Sequence, residues 1–340
     1  MGLGQIKTWQ GQALRGVFSL KYLLGKERIG TLFENVQENL VESLKTHFET
    51  EGSGKVRPVA VEHNIDLETF RTKYQAKNRP VVLKGAAANW ECVRKWDLDY
   101  LSKEYGSDPV DLLNPSGLSV SEMSDVVERS TLGDFIREIQ GGGKKYLRFH
   151  PFLMDHPELL EDLDLDWISS IQTRGVMRPE YQMFVGPAGS HTPVHCAMPC
   201  NLFVQVHGKK NWLLFEPNDF PMLNPKIAGL SYYISDVDPE DVDTQRFPLF
   251  QYLNAWEVNL EPGDIFWNPP YMWHCVTNET PSIGIGYRFN NPWLALKASP
   301  TLLGLRVAAR NPNVFQSLYY ALKKTNLIVS IERDRSSKKT

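Results

Sequence analysis

The sequence has few cysteines and no long apolar stretch, and each shortage excludes a class of protein. Four of its 340 residues are cysteine, too few and too unevenly spaced for a disulfide scaffold, which favours a reducing, intracellular and cytoplasmic location. No uninterrupted apolar run reaches the ~18 residues of a membrane-spanning helix, and the first residues lack the apolar core of a secretory signal. We therefore expect no spanning segment.

The chain also lacks an excess of either charge. Its 37 lysine and arginine residues nearly balance its 40 aspartate and glutamate residues, giving a formal net charge of -3. Nucleic-acid-binding domains normally carry a clear basic footprint, so we expect no nucleic-acid partner. A chain of this length can bury a large core and can hold one large domain or two.

Helical patterns flank a middle region that is rich in strand signals. Many short β-prone runs separated by glycine and proline predict a mainly β fold of the barrel or jelly-roll type. We place an N-terminal helical region at residues 1–57, the barrel domain at residues 58–295 and a C-terminal helical region at residues 296–340. The acidic stretch at residues 218–243 is expected to be a lid or a surface insert.

Both terminal regions carry amphipathic segments. Residues 6–26 are basic without an acidic residue, a pattern that fits peripheral contact with a membrane surface or a partner. Packing of this helix on the core is the favoured alternative, because surface helices are normally amphipathic. Residues 313–327 carry an apolar stripe that would cover the barrel or pair with a second copy of the chain, formed by Val314, Leu318 and Leu322.

Two separate blocks of the middle region each contribute one histidine. Residues 192–217 contain His195 before a predicted hairpin, and residues 262–274 end in His274 after a proline-rich bend. Neutral imidazole is a common ligand for iron, zinc and copper. Two histidines and one carboxylate form the facial triad of non-haem iron oxygenases, which leaves positions open for oxygen and a co-substrate.

The same blocks resemble a known family. The runs GSHTPVH (189–195), NLFVQV (201–206) and GKK (208–210), with PGDI (262–265) and WH (273–274), resemble the JmjC/cupin-like (Cupin_8) 2-oxoglutarate- and Fe(II)-dependent oxygenases, particularly the asparaginyl-hydroxylase type. The resemblance covers residues 79–291. It implies a double-stranded β-helix (jelly-roll/cupin) barrel with flanking N- and C-terminal helices, Fe(II) and 2-oxoglutarate as cofactors, and a small-molecule or protein substrate. It also implies a homodimer through the C-terminal helix.

Carried over residue by residue, the resemblance implies a site. His195 and His274 correspond to metal ligands. The residues that correspond to co-substrate contacts are Tyr146, Thr192, Asn201 and Lys210. Lys210 is the position whose ammonium group pairs with the distal carboxylate of 2-oxoglutarate in that family, a charge-assisted contact.

One position departs from the family pattern. The metal-binding aspartate corresponds to Ala197, two residues after His195, so the motif is degenerate and metal binding is expected to be weak or absent. Three interpretations follow. A halide fills the position, as in halogenases; a nearby group such as His191 or one of the cysteines Cys196, Cys200 and Cys275 replaces the carboxylate; or the site is inactive and the barrel only binds ligands.

The cysteines are less suited to that replacement than their positions suggest. Cys196 and Cys275 each adjoin a histidine in an extended segment, so their side chains are predicted to face the opposite side. Two functions from different classes therefore follow from the sequence. The first is an oxygenase or halogenase of a small molecule or protein side chain; the second is a non-catalytic, cupin-like binding module.

Overall fold

The structure is a computed structural model that describes residues 5–24, 26–113, 126–172, 175–226 and 232–309. The apolar stripe at residues 313–327, and with it the predicted pairing of two copies, lies outside these residues. The α-helices are α1 (Trp9–Leu24), α2 (Lys26–Glu51), α3 (Leu67–Thr69), α4 (Glu91–Lys95), α5 (Leu98–Tyr105), α6 (Leu132–Gln140), α7 (Phe152–Asp155), α8 (Leu165–Ser170), α9 (Pro292–Ala298) and α10 (Pro300–Val307). A π-helical turn covers Phe70–Gln75, and 3-10 turns cover Pro157–Asp162, Pro217–Leu223 and Phe250–Tyr252.

Strands dominate the middle of the chain. They are β1 (Val56–Pro58), β2 (Ala60–Glu62), β3 (Val81–Leu83), β4 (Pro109–Leu113), β5 (Val126–Thr131), β6 (Leu147–His150), β7 (Met177–Gly186), β8 (His191–Cys196), β9 (Cys200–His207), β10 (Lys210–Phe215), β11 (Tyr233–Ile234), β12 (Ala255–Leu260), β13 (Ile265–Asn268), β14 (Trp273–Asn278) and β15 (Ser282–Asn290). Gly208, with a φ of 70°, makes the tight turn between β9 and β10, where a left-handed backbone favours glycine.

Two large sheets face each other. One has the strand order β1-β12-β10-β14-β8-β11 and the other the order β2-β3-β13-β9-β15-β7-β6. From β8 to β10 and from β12 to β15, successive strands belong alternately to one sheet and to the other. The neighbouring pairs among these strands are antiparallel. This winding closes the strands into a jelly roll. The predicted fold class, a mainly β jelly-roll barrel with flanking helices, is confirmed.

The alternation of side chains along each strand divides the core into three parts. On β9, Phe203 faces the space between the sheets, whereas Leu202 and Val204 face the opposite side. The outer side of the seven-stranded sheet packs against the helices between β2 and β7. The outer side of the six-stranded sheet packs against α1, α2, α9 and α10. The space between the two sheets is therefore left for a binding site.

The N-terminal helices pack on the barrel. Phe18 lies edge-on to Phe220 with ring centroids 5.2 Å apart, and Nε of Arg15 donates to the carbonyl oxygen of Asn218 across 2.8 Å. Arg15 and Lys21 are both buried, so two basic residues of segment 6–26 face the protein. Within the described ranges, no helix has both the length and the apolarity to cross a membrane. Peripheral contact of residues 6–26 with a membrane surface stays a prediction.

The prediction of a surface insert is wrong for residues 218–223 and 232–237, which are mostly buried, whereas Asp238, Glu240, Asp241 and Asp243 are exposed. The alternative prediction of a lid stays a prediction. Phe220, Met222 and Leu223 are buried, and β11 pairs with β8 beside His195. The apolar side chains of this stretch have neither helical nor strand spacing, which is why the sequence pattern does not reveal their burial.

Candidate functional site

The two histidines converge inside the barrel. His195 on β8 lies directly opposite His274 on β14, and their ring centroids are 4.2 Å apart. Nδ1 of His195 lies 2.8 Å from the carbonyl oxygen of Pro193, and Nδ1 of His274 lies 2.8 Å from that of Met272. Because a carbonyl oxygen only accepts, both Nδ1 atoms carry the proton. Each Nε2 atom therefore keeps its lone pair, the arrangement found in metal-ligating histidines.

Burial keeps both imidazoles neutral. It lowers the pKa of His274 to about 4. Burial, followed by the proximity of His274, lowers the pKa of His195 well below its usual value. The neutral ring is the form that binds metal ions, so the pair needs no deprotonation at neutral pH.

A β-bulge allows Thr192 to line the same cavity as His195. Two residues three apart on a regular strand face opposite sides. Here the pairing of β8 with β14 shifts between His274, opposite His195, and Val276, opposite Thr192. One extra residue of β8 is accommodated in this interval, which contains Pro193. Proline lacks the N–H that a regular ladder needs, so a bulge suits this position.

Lys210 lies in the interior of the barrel. It is 1% exposed, and its Nζ donates to Oδ1 of Asn278 across 2.7 Å and lies 3.3 Å from the hydroxyl of Tyr146. No carboxylate among the described residues contacts this ammonium group. Burial without a counter-ion lowers the pKa of Lys210 to about 7. An anionic ligand would supply the missing partner.

Tyr146 and Thr192 complete the surroundings of Lys210. Tyr146 lies directly before β6, and burial raises the pKa of its hydroxyl to about 12, while a hydrogen bond with Thr192 lowers it. The sequence pattern does not indicate Asn278, whose Nδ2 donates to Oγ of Ser190 across 2.8 Å. Asn278 is four residues after His274 on the same strand, an even spacing that puts both on one face and could have revealed it.

Asn201 lies at another part of the cavity, between two polar residues of adjacent strands. It is opposite Asn268 of β13 and opposite Arg288 of β15. The Oδ1 atoms of Asn201 and Asn268 are buried without a hydrogen-bond partner. Burial lowers the pKa of the Arg288 guanidinium, and the nearby Glu180 raises it. Unpaired buried oxygens are rare in folded proteins, and here they fit a polar ligand in the cavity.

Ala197 lines the same cavity as the two histidines. Its methyl group can supply neither charge nor a lone pair. The described residues contain no group of three histidine, cysteine, aspartate or glutamate side chains that could hold a metal ion. Cys196 and Cys275 belong to the core outside the six-stranded sheet, and Cys200 to the core outside the seven-stranded sheet. No cysteine therefore replaces the carboxylate in this arrangement.

The cavity has a volume of about 50 Å³. Its remaining wall is mostly apolar and aromatic. The residues lining it are Tyr146, Phe149, Phe184, Thr192, His195, Ala197, Pro199, Asn201, Phe203, Lys210, Trp212, Asn268, Pro269, Met272, His274, Val276 and Arg288. All six residues predicted from the sequence are among them.

The donors present fit the implied cofactors unequally. Lys210, Tyr146 and Thr192 fit one carboxylate of 2-oxoglutarate. Asn201 lies elsewhere in the cavity, and its unpaired Oδ1 accepts hydrogen bonds and cannot donate one to this ligand. The two Nε2 atoms fit two positions of a divalent metal ion. No described side chain offers the third ligand of a facial triad, since Ala197, the position that the resemblance assigns to the carboxylate, carries only a methyl group.

The fold and this cavity define a member of the JmjC and cupin-like barrel proteins. The chain matches the model of the "Cupin-like domain" over residues 67–293 and belongs to that family. It is 29% identical over 232 residues to Jumonji C domain-containing protein 5 of Drosophila melanogaster, covering 65% of this chain and 57% of that protein. It is 28% identical over 217 residues to Lysine-specific demethylase 8 of Xenopus tropicalis, covering 63% and 48%.

A further relative matches a shorter part of the chain. HSPB1-associated protein 1 of Homo sapiens is 32% identical over 156 residues, which cover 45% of this chain and 30% of that protein. The chain spans about half the length of the first two relatives. The match to the family model, at residues 67–293, lies within the predicted barrel domain of residues 58–295.

Proposed function

We propose that the chain is a 2-oxoglutarate- and Fe(II)-dependent oxygenase-like protein whose metal is held by two protein ligands instead of three. The observation that carries this proposal is the histidine pair, in which both Nδ1 protons are committed to backbone carbonyls and both Nε2 atoms are left for a ligand. Ala197 in the same cavity makes metal binding weak and dependent on anions from outside the chain.

The residues of the barrel have separate tasks in this proposal. Lys210 holds one carboxylate of the keto acid, with Tyr146 and Thr192 beside it, and Asn278 fixes the position of the ammonium group. His195 and His274 hold the metal through Nε2. When bound, the metal and the keto acid would supply the oxidising chemistry. The apolar wall excludes water from that chemistry.

The substrate is proposed as a small molecule or a protein side chain. The name of one relative, Lysine-specific demethylase 8, supports the protein side chain. We propose an intracellular, cytoplasmic location, which fits four free and buried cysteines. Pairing of two copies through the C-terminal helix is proposed on the resemblance alone.

A second candidate function is a non-catalytic binding module, favoured by the absence of a third metal ligand among the described residues. A halogenase-like activity is the remaining form of the first proposal, because a halide could occupy the position beside Ala197. The two classes differ in one measurable property, namely whether the barrel binds a divalent metal.

The deciding experiment is a titration of the metal-free protein with Mn(II), a stable substitute for Fe(II), with free Mn(II) measured by electron paramagnetic resonance. We expect weak binding alone and tighter binding with 2-oxoglutarate and chloride together. His274→Ala is the control and is expected to remove binding under both conditions. If the parent protein binds no Mn(II) with or without the keto acid, the oxygenase proposal is wrong and the binding-module function stands.

A further inference from the structure

Arg288 is a cavity residue to which neither the sequence pattern nor the proposed chemistry assigns a role. It is half-buried on β15, lines the cavity with the histidines and lies opposite Asn201. Its Nη1 donates to Oε1 of Gln182 across 2.9 Å, and its guanidinium lies 5.8 Å from the ring centroid of Phe149. Its Nε and Nη2 groups have no hydrogen-bond acceptor among the residues that the structure describes.

Gln182 holds Arg288 away from the nearest acid. Nε2 of Gln182 donates to Oε1 of Glu180 across 2.8 Å, so one amide group stands between the carboxylate and the guanidinium. Gln182 is 1% exposed, so its amide is enclosed by the protein and stays oriented toward its two hydrogen-bond partners. Arg288 forms no ion pair with any described carboxylate, so its charge is oriented but not neutralised by contact.

Lys210 is the second cation of the cavity, and three aromatic rings separate it from Arg288. Nζ of Lys210 lies 5.5 Å from the ring centroid of Phe203. The next rings follow at 5.7 Å, from Phe203 to Phe184, and at 5.2 Å, from Phe184 to Phe149. Arg288 lies over the last ring. The two charges are thus at separate ends of one apolar row.

The described lining of this cavity contains two cations and no carboxylate. Withdrawing a cation from water is unfavourable unless an anion compensates for the lost hydration. A carboxylate at position 197 would have supplied one negative charge, and Ala197 removes it. Such a cavity is suited to a ligand with two anionic groups, one for each cation.

We propose that Lys210 and Arg288 together bind the two carboxylates of a small dicarboxylate, so that this ligand binds without a metal ion. The inference rests on the proposed binding of 2-oxoglutarate and adds the residue that takes the second carboxylate. Lys210 holds one end, as in the proposed function. Arg288 holds the other end beside the histidines, where two N–H groups are available for a fork-shaped contact.

The test is calorimetric titration of the full chain with 2-oxoglutarate and with succinate in the presence of a chelator. We expect both to bind the parent protein. Arg288→Gln is expected to weaken each by about 10- to 100-fold, the scale of a lost hydrogen bond to a charged group. Gln182→Glu keeps Arg288 but neutralises it, and should weaken binding similarly. Arg246→Gln, at an exposed ion pair with Asp236, is the control and should change nothing.

Thermal melting of each variant separates loss of folding from loss of binding. Unchanged metal-free affinity in Arg288→Gln or in folded Gln182→Glu would overturn the inference. Binding of the parent only when Mn(II) is present would also overturn it while leaving the proposed oxygenase function intact. Metal-free binding that depends on Arg288, together with no Mn(II) binding, would support the inference and refute the oxygenase proposal.

Discussion

Lys210 and Asn278 lie opposite each other on β10 and β14, and the ammonium group of the lysine donates to the amide oxygen of the asparagine across 2.7 Å. A neutral amide satisfies one of the three protons of the lysine but offers no charge. Asn278 in turn donates to Ser190, so its oxygen is fixed toward the lysine. The barrel therefore holds the ammonium group in a fixed position, while no anionic partner contacts it among the described residues.

This relationship predicts a pH dependence of ligand binding. Burial lowers the pKa of Lys210 to about 7, and a bound carboxylate would raise it. Above pH 7 the dicarboxylate must therefore bring a proton with it, and affinity should fall by up to about tenfold per pH unit. Calorimetry at pH 8 in two buffers of different ionisation enthalpy should detect the proton uptake. Lys210→Met should bind weakly with no such slope, and a parent slope of zero would contradict the prediction.

The same pKa predicts the stability of the ligand-free protein. The pKa of Lys210 is lower in the folded chain, about 7, than its usual 10.5. Between these values the unfolded chain binds more protons, so the free energy of unfolding rises as pH increases from about 7 to 10.5. Lys210→Met should flatten this rise. Denaturant unfolding of both proteins at pH 7 and pH 10 measures the difference.

Ala197→Asp is predicted to raise metal affinity. A carboxylate two residues after His195 would add a third ligand and a negative charge beside the pair. We expect a gain of roughly tenfold or more in Mn(II) affinity, judged from the 10- to 100-fold effects of surrounding groups on metal sites. Ala197→Asn, without the charge, is the matched control and should gain much less.

Two results would count against this account of Ala197. The first is unchanged affinity in Ala197→Asp combined with complete loss in Cys200→Ser, which would assign the third ligand to a sulfur. The second is the absence of binding in both the parent and Ala197→Asp, which would show that the pair does not act as a metal site.

Gly284→Ala is predicted to disturb both folding and binding. A Cβ atom at this position would lie 2.2 Å from Cζ of Phe203, and the ring supports Lys210. We expect a loss of about 1–3 kcal/mol in the free energy of unfolding, the range for an overpacked core. Gly304→Ala is the control, because its Cβ would meet no atom within 4 Å and helix α10 would gain about 0.5–1 kcal/mol. Urea unfolding of the Gly284→Ala and Gly304→Ala variants measures these two changes in the free energy of unfolding.

Asp219 is predicted to hold the N-terminal segment on the barrel. Its carboxylate accepts from the backbone N–H groups of Gln5, at 2.6 Å, and Ile6, at 3.1 Å. Asp219→Ala leaves these groups without their acceptor, and we expect a loss of about 1–3 kcal/mol. Faster proteolysis near residue 6, with unchanged dicarboxylate affinity, would show that the effect is local. Equal proteolysis rates in parent and variant would contradict the prediction.

Asp219 also makes the free energy of unfolding depend on pH. Burial raises its pKa from 3.8 to about 6. The folded chain therefore binds more protons than the unfolded chain between these values, and the free energy of unfolding falls as pH rises from about 4 to 6. Asp219→Asn should remove this fall, which unfolding at pH 4.5 and pH 6.5 would detect.

Strand periodicity predicted much of the barrel because each inner strand alternates between the cavity and an outer core. Ile283, Ile285 and Tyr287 alternate along β15 and share one face, which packs in the outer core. The alternate residues of β15 include two glycines and Arg288, a pattern that could have indicated a ligand-facing side. Single-sequence reasoning missed it because glycine gives no hydrophobic signal.

The burial of residues 220–223 and the partners of Asn278 depend on contacts between strands far apart in sequence. No local pattern encodes such contacts, so neither could be predicted. The place of Thr192 beside His195 was predicted from resemblance alone, since regular alternation would have put the two side chains on opposite sides.

The bulge in β8 brings two parts of the cavity to the same side of the strand. Thr192, beside the lysine, and His195, beside the second histidine, share one side only because the strand holds an extra residue between them. Straightening the strand would rotate one of the two side chains out of the barrel while the other stayed. The extra residue is therefore what brings the two subsites into one cavity, and its removal would take one of them away.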